Sequence, residues 1–133
     1  MSDYVQSIRI SPARLDLTVY RGDTPRLVIV LPLDLTGYSA HMDIRDSAGA
    51  ALVQLSSLDG GLLITPNTGR DPLTGALVPV AGRSVVRMRD LSDAEEGAIL
   101  GASFPSYDLE VRGTAFRKTY LRGRFRLEGD VTL

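Results

Sequence analysis

The chain has 133 residues, enough for one domain whose core needs no disulfide bonds. It lacks Cys, which excludes disulfides, thiolate nucleophiles and most structural zinc sites and is typical of a protein assembled inside a cell. Because 15 basic side chains nearly balance 16 acidic ones, and no apolar run suits a membrane span or a secretory signal, we expect a soluble protein without nucleic-acid or membrane partners.

The first elements are an N-terminal arm and two strands. Residues 1–14 predict an extended arm that could pair with the sheet edge of a neighbour. Residues 15–20 alternate apolar and polar side chains, which predicts a half-buried strand, and the apolar run 26–31 predicts a strand covered on both faces. A short connection between the two predicts a hairpin.

That connection raises a question of function. Arg21, Gly22 and Asp23 spell the tripeptide that many extracellular proteins present to integrin-type receptors. Gly22 can adopt positive φ, and Asp23 and Thr24 can hydrogen-bond the backbone of a turn. Turn chemistry therefore accounts for the whole stretch, and we do not expect an adhesion signal.

The middle of the chain predicts several short strands. After a turn at Gly37, residues 40–46 alternate, with Ala40, Met42 and Ile44 on the inner side. Three further candidates are residues 51–56, 61–65 and 85–89. His41 is the single histidine and is predicted on the outer side of its strand, so we expect neither a Ser-His-Asp triad nor a multi-histidine metal site within one chain.

Residues 66–84 are dense in Pro and Gly and predict an extended loop. Its apolar side chains, Leu77, Val78 and Val80, would be exposed in an isolated monomer, so we interpret them as a candidate interface with a neighbouring chain. The alternative is that the loop folds back and covers its own core.

One short helix is predicted near residues 92–100. Ser92 is the expected N-cap, and Glu95 stands three residues later, which is the spacing of a capping box. Gly101 is the expected stop. The sequence predicts a narrow apolar stripe made of Ala94, Ala98 and Ile99.

The last two strands predict a hairpin over residues 107–112 and 118–127, joined by a three-residue loop. Its outer face is charged, with Lys118, Arg122, Arg124 and Arg126 on one strand and Asp108 and Glu110 on the other, close enough to pair across. This face is either a solvated, self-neutralising surface or a subunit interface that uses arginine. The candidate interface residues here are Arg122, Arg124 and Arg126.

These short strands with frequent turns predict an all-β protein, an antiparallel immunoglobulin-like β-sandwich of about 7–8 strands with one helix, as a single domain over residues 15–133. Several carboxylates could form an acid–base pair, but on alternating strands they are typical of a solvent-exposed face. We therefore predict no enzyme, no cofactor and no metal site.

Four motifs occur in a particular order along residues 15–132: Gly22-Asp23-Thr24, the segment 34–38, Leu91-Ser92 and the segment 107–110. In this order they resemble the small β-domains encoded in tail modules of tailed bacteriophages and prophages, similar to the N-terminal domain of phage upper baseplate proteins. Each motif is simple turn, strand or helix-start chemistry, and the specific signal is their order.

The resemblance implies a virion structural protein, a tail or baseplate component or adaptor that helps attach fibres or receptor-binding proteins. It implies assembly in the host bacterial cytoplasm and other virion proteins as partners, with homo-oligomeric or ring-associated copies. Residues 66–82 are longer than the family norm, and relatives continue past the position of Leu133. Both departures favour an adaptor or cementing subunit.

Two alternatives stay open. One is a carbohydrate- or host-surface-binding module, for which Tyr20, Tyr38 and Tyr120 are the candidate contact residues. The other is a capsid decoration or head–tail connector protein.

Overall fold

Two β-sheets pack against each other around one apolar core, as the all-β sandwich prediction requires. The structure is a computed structural model and describes residues 13–21, 27–114 and 117–128. The strands in these ranges are β1 (Ala13–Arg14), β2 (Leu17–Tyr20), β3 (Leu27–Leu31), β4 (Ser39–Arg45), β5 (Ala51–Ser56), β6 (Leu62–Arg70), β7 (Leu77–Met88), β8 (Ser106–Arg112) and β9 (Arg117–Glu128). The helix α1 (Asp93–Leu100) lies between β7 and β8.

The larger sheet has the strand order β1-β9-β8-β4-β5, and β2 also pairs with β9. The smaller sheet has the order β3-β7-β6. The described pairs are antiparallel except those of β1 and β2, which run parallel to β9. The first and last strands of the described chain are therefore neighbours.

The core follows from the period-2 pattern of the sequence. Ala40, Met42 and Ile44 of β4 are buried, as predicted, and the turn before β4 places Gly37 at φ +83°. Phe125 of β9 packs edge-on against a tyrosine of β8 with ring centroids 6.4 Å apart. Full burial of each such large side chain contributes about 1.5–3 kcal/mol.

The predicted hairpin between the first two strands is wrong. β2 lies in the larger sheet beside β9, and β3 lies at the edge of the smaller sheet beside β7. Alternation fixes which face of a strand is buried, but it does not fix which strand lies beside it. The turn residues Gly22, Asp23 and Thr24 lie outside the described residues.

The segment predicted as an extended loop is a β-hairpin. β6 continues to Arg70 and β7 begins at Leu77, with pairing as far as these two residues. β3 pairs with β7 only from Ser84 onward, so nearer the turn no described strand pairs with either side. We call residues 66–84 the hairpin arm. It projects roughly 15 Å beyond the three-stranded part of the sheet, at the usual rise per residue.

A second feature joins the two ends of the described chain. We call residues 13–21 the strap. The backbone N–H of Leu15 donates to the Arg122 carbonyl (2.9 Å), and the Leu15 carbonyl accepts from the Tyr107 hydroxyl (2.6 Å). Burial raises the pKa of Tyr107 to about 12. The side chain of Asp16 accepts from the backbone N–H of Arg124 (3.0 Å), and this bond lowers the pKa of Asp16.

Gly123 makes this contact possible. A β-carbon at position 123 would lie 2.3 Å from the Leu15 carbonyl oxygen, which is far inside van der Waals contact. The strap can therefore approach β9 this closely only because residue 123 has no side chain.

The helix begins as predicted, because Ser92 and Glu95 form both bonds of a capping box. Arg89 donates to both Glu95 carboxylate oxygens (2.7 and 2.8 Å) and, with these bonds as the main cause, lowers the pKa of Glu95 from its usual 4.5 to about 2. The predicted apolar stripe is wrong except for Ile99. Ala94 and Ala98 are exposed, and Glu96 is buried instead.

Replacing Gly123 with Ala should detach the strap or force it outward. We expect the free energy of unfolding in urea to fall by about 1–3 kcal/mol, the usual cost of overpacking. Gly97→Ala is the matched control, because an added β-carbon meets nothing within 4 Å there. It should raise helix stability by up to about 1 kcal/mol. Equal effects of the two substitutions would contradict the role assigned to Gly123.

Glu95 should contribute a pH-dependent part of the stability. Its pKa is lower in the folded chain, so its contribution is present above about pH 4.5 and is lost as pH falls toward 2. Between these values we expect the wild type to lose about 1–2 kcal/mol more than Glu95→Gln in urea unfolding, after allowance for solvent screening. Identical pH profiles for the two proteins would contradict this account.

Candidate interaction surface

The outer face of the larger sheet carries a row of charged side chains from β4, β8 and β9. In the strand register, Arg45 and Arg124 flank Ser106, and Arg122 stands opposite Asp108. The candidate interface residues on β9 therefore lie on one face with charges from two other strands. This confirms the predicted placement of Arg122 and Arg124 on the outer face.

Part of this charge is neutralised inside the sheet, but not in the way the sequence predicted. Asp108 binds Arg45 of β4 (3.0 Å), which also binds Asp43 (2.7 Å). Glu110 binds Arg112 of its own strand. Neither carboxylate forms an ion pair with β9 among the described residues. Arg122 and Arg124 have no ion pair with any described residue, although Asp16, which accepts from the Arg124 backbone N–H, lies near enough for the Arg124 charge to help lower its pKa.

Of the other two predicted members of the row, Arg126 lies on the exposed side as predicted and Lys118 does not. Arg126 is exposed and lies 3.8 Å from a carboxylate oxygen of Glu128. Lys118 does not share the face of the arginines, because β9 carries an extra residue at Tyr120 opposite β8. This bulge pairs Lys118 with Val111 and places it on the inner side, which simple alternation could not predict.

Phe104 is a surface residue that the sequence analysis missed. It lies between α1 and β8, is 71% exposed and has a φ of +49°, which a residue with a β-carbon seldom adopts. The Arg124 guanidinium lies 5.5 Å from the centre of its ring, a cation–π distance. Neither its backbone conformation nor its contact with Arg124 leaves a periodic signal in the sequence.

Two surface depressions share Phe104 in their linings. The arginine groove, about 640 Å³, is lined by Arg14, Arg45, Asp108, Arg122 and Arg124 together with Phe104. The apolar cleft, about 290 Å³, lies between the end of α1 and β9. Its apolar lining includes Ile99, Leu100, Phe125 and Leu127. Phe104 and Arg124 border both depressions.

The other predicted interface lies on the hairpin arm, in the other sheet. Leu77 is 38% exposed, but Val80 folds over Gly69 of the opposite strand, and Val78 pairs with the same glycine. The most exposed apolar side chain of the arm is Leu73 in its turn, at 92%. The structure therefore does not bring the two predicted interface sets together.

The candidate carbohydrate-contact residues do not form one platform. Tyr20 stands opposite Glu128 at one end of β9, whereas Tyr120 lies eight residues earlier on β9 and packs against the core. At the usual rise per residue this separates them by roughly 25 Å. Tyr38 lies in a turn before β4.

Other chemistry on the described part of the chain is limited. His41 lies 3.1 Å from the Ser39 hydroxyl, and burial, with Arg112 nearby, lowers the pKa of its ring. Within residues 13–21, 27–114 and 117–128, no group of three or more metal-ligating side chains is placed to hold an ion. The one described helix is too short to cross a membrane.

Comparison with known proteins does not give this chain a family. No protein-family model matches it, and no curated protein matches it.

Arg21 has structural partners that the sequence pattern did not predict. Its side-chain Nε donates to a carboxylate oxygen of Glu96 (3.1 Å), a helix residue that is only 2% exposed. The Arg21 backbone N–H also donates to the Glu128 carbonyl (3.1 Å). Arg21 therefore ties the end of the strap to α1 and to the end of β9.

Truncating Arg21 should destabilise the fold. We expect Arg21→Ala to lower the free energy of unfolding by about 1–3 kcal/mol, since it removes a charged hydrogen bond to a buried carboxylate. Arg122→Ala removes an arginine without an ion pair to described residues and should stay within about 0.5 kcal/mol of the wild type. Equal losses for the two variants in urea unfolding would contradict the contact.

Proposed function

We propose that this chain is a virion structural protein of a tailed bacteriophage, a tail or baseplate component or adaptor that acts by burying surface against neighbouring subunits. The observation that carries the proposal is the hairpin arm, a two-stranded ribbon that projects from the smaller sheet. The protein works by assembly and carries out no catalytic turnover.

The marginal stability of a two-stranded ribbon and the exposed leucines of the arm both favour contact with a partner. An isolated two-stranded ribbon is marginally stable in water, because it has no sheet neighbour and no core. The arm nevertheless exposes Leu73 and Leu77, whose burial would be favourable. A neighbouring subunit that covered these side chains would stabilise both the arm and the assembly.

The order of the sequence motifs supports the phage tail as the site of assembly. Gly37 and Ser92, which belong to two of these motifs, have the turn and cap conformations that the motifs require. A head-decoration or connector protein could use the same arm, so the position within the particle is left to the experiment.

The test is recovery of the protein in purified phage particles. The wild-type chain, carrying an epitope tag and expressed during infection, should purify with particles and be located on the tail by electron microscopy. Recovery in the host cytosol alone would contradict the proposal, and labelling of the head would move the protein to the decoration or connector class.

Leu73→Ser tests the arm itself. Burial of a leucine contributes about 1.5–3 kcal/mol, so its loss should reduce incorporation about tenfold or more. Leu58→Ser is the matched control, because Leu58 is 78% exposed but lies in a turn outside the arm. It should be incorporated like the wild type. Equal incorporation of both variants would contradict the role of the arm.

A further inference from the structure

We propose that the arginine groove and the apolar cleft together bind an acidic segment of a neighbouring protein chain. Carboxylates of that segment lie in the groove, an apolar side chain enters the cleft, and Phe104 contacts the segment at the border that the two depressions share. The assignment of the segment to another virion protein rests on the proposed function, whereas the binding chemistry follows from the surface itself.

The arginines of the groove differ in whether they already have a carboxylate partner. Arg14 and Arg45 already have carboxylate partners in Asp16, Asp43 and Asp108. Arg122 and Arg124 have no ion pair with a described residue and line the same groove. A guanidinium presents paired donors that match a carboxylate in a bidentate geometry, so these two side chains suit acidic side chains of a partner.

The loop that carries Phe104 holds its ring in an exposed position. Its loop is fixed on both sides, because Ser103 accepts a bond from the backbone of Ser47 (3.1 Å) and Pro105 accepts one from the backbone of Phe125 (2.9 Å). The unfavourable φ of Phe104 is therefore maintained by its surroundings. An aromatic ring held outward beside an arginine is the residue combination found at the centres of binding interfaces.

The apolar cleft, which Phe104 also lines, can receive a side chain of the bound segment. At about 290 Å³ it accommodates one bulky apolar side chain, and Leu100 on its rim is half exposed. A ligand that fills both depressions must carry negative charge and an apolar group within a short distance. An extended acidic peptide with a leucine or an aromatic residue meets this requirement.

The charge pattern favours a protein ligand over a nucleic acid. Asp108 lines the arginine groove itself, and Asp43 lies beside it in the ion pair with Arg45. The chain as a whole carries a net charge of −1, so it lacks the excess of basic side chains with which proteins bind a continuous phosphate backbone. Interleaved charges instead fix the register of a protein segment.

The experiment measures binding of short labelled peptides to the full chain by fluorescence anisotropy. Each peptide carries two glutamates and one leucine in a Gly/Ser background, with the spacing between them varied across the set. We expect one spacing to bind. Twin peptides with Gln for Glu, or Ser for Leu, should bind about tenfold more weakly, the equivalent of about 1.4 kcal/mol. Lack of binding at every spacing would overturn the proposal, and so would equal binding of the twins.

Variants then locate the site. Phe104→Gly should keep the fold, since glycine readily adopts positive φ, and should weaken binding about tenfold, as should Arg124→Gln. Arg87→Gln is the matched control, because Arg87 is an exposed arginine on the smaller sheet, and it should bind like the wild type. Weakening by Arg87→Gln equal to that by Arg124→Gln would overturn the assignment.

Other occupants give distinct results. Tighter binding of an oligothymidylate than of the best peptide would assign the groove to nucleic acid. Self-association in sedimentation that Arg124→Gln abolishes would assign it to a second copy of the chain. Either result overturns the proposal. Peptide binding by a chain that is absent from particles would refute the proposed function alone, whereas incorporation without peptide binding would refute this inference alone.

Discussion

The carbonyl oxygen of Leu15 lies 2.3 Å from the position of a β-carbon at residue 123, and the pairing of the strap with the larger sheet depends on that close approach. The strap lies parallel to β9, with the Leu15 carbonyl bound to the Tyr107 hydroxyl and Asp16 bound to the backbone of Arg124. The strap and β9 stand at opposite ends of the described chain, so their parallel pairing is among the least local contacts of the fold. Burial of Leu17 and Val19 of the strap completes the core.

The strand that pairs with the strap, β9, also contributes arginines to the outer face of the larger sheet. β9 sends Phe125 into the core while Arg122 and Arg124, on either side of Gly123, point to the outer face. The strap pairs with this strand, and its Asp16 side chain accepts from the backbone N–H of Arg124. Exposed ion pairs contribute little to stability, and arginines without such pairs cost the fold little. This leaves the outer face available for interaction with another molecule.

The sequence predicted the features that depend on local pattern and missed those that depend on distant partners. Alternation located the inner side chains of β4, and the spacing of Ser92 and Glu95 located the helix start. The pairing of β2 with β9 is non-local, so a hairpin with β3 was the wrong inference. The hairpin arm was also missed, because its Pro and Gly residues resemble those of a loop. The outward position of Phe104 depends on hydrogen bonds from two separate segments, which no short sequence window contains.

Native-state hydrogen exchange tests the central claim, that the strap is an integral part of the sandwich, most directly. The amides of Leu15 and Arg124 donate to partners across the junction between the strap and β9, so they report on its opening. If the strap opens only with the whole domain, both should exchange with the same free energy as the slowest amides of β8. Exchange of both amides at a free energy far below that of β8 would show that the strap detaches while the rest of the sandwich stays folded, and would contradict the account.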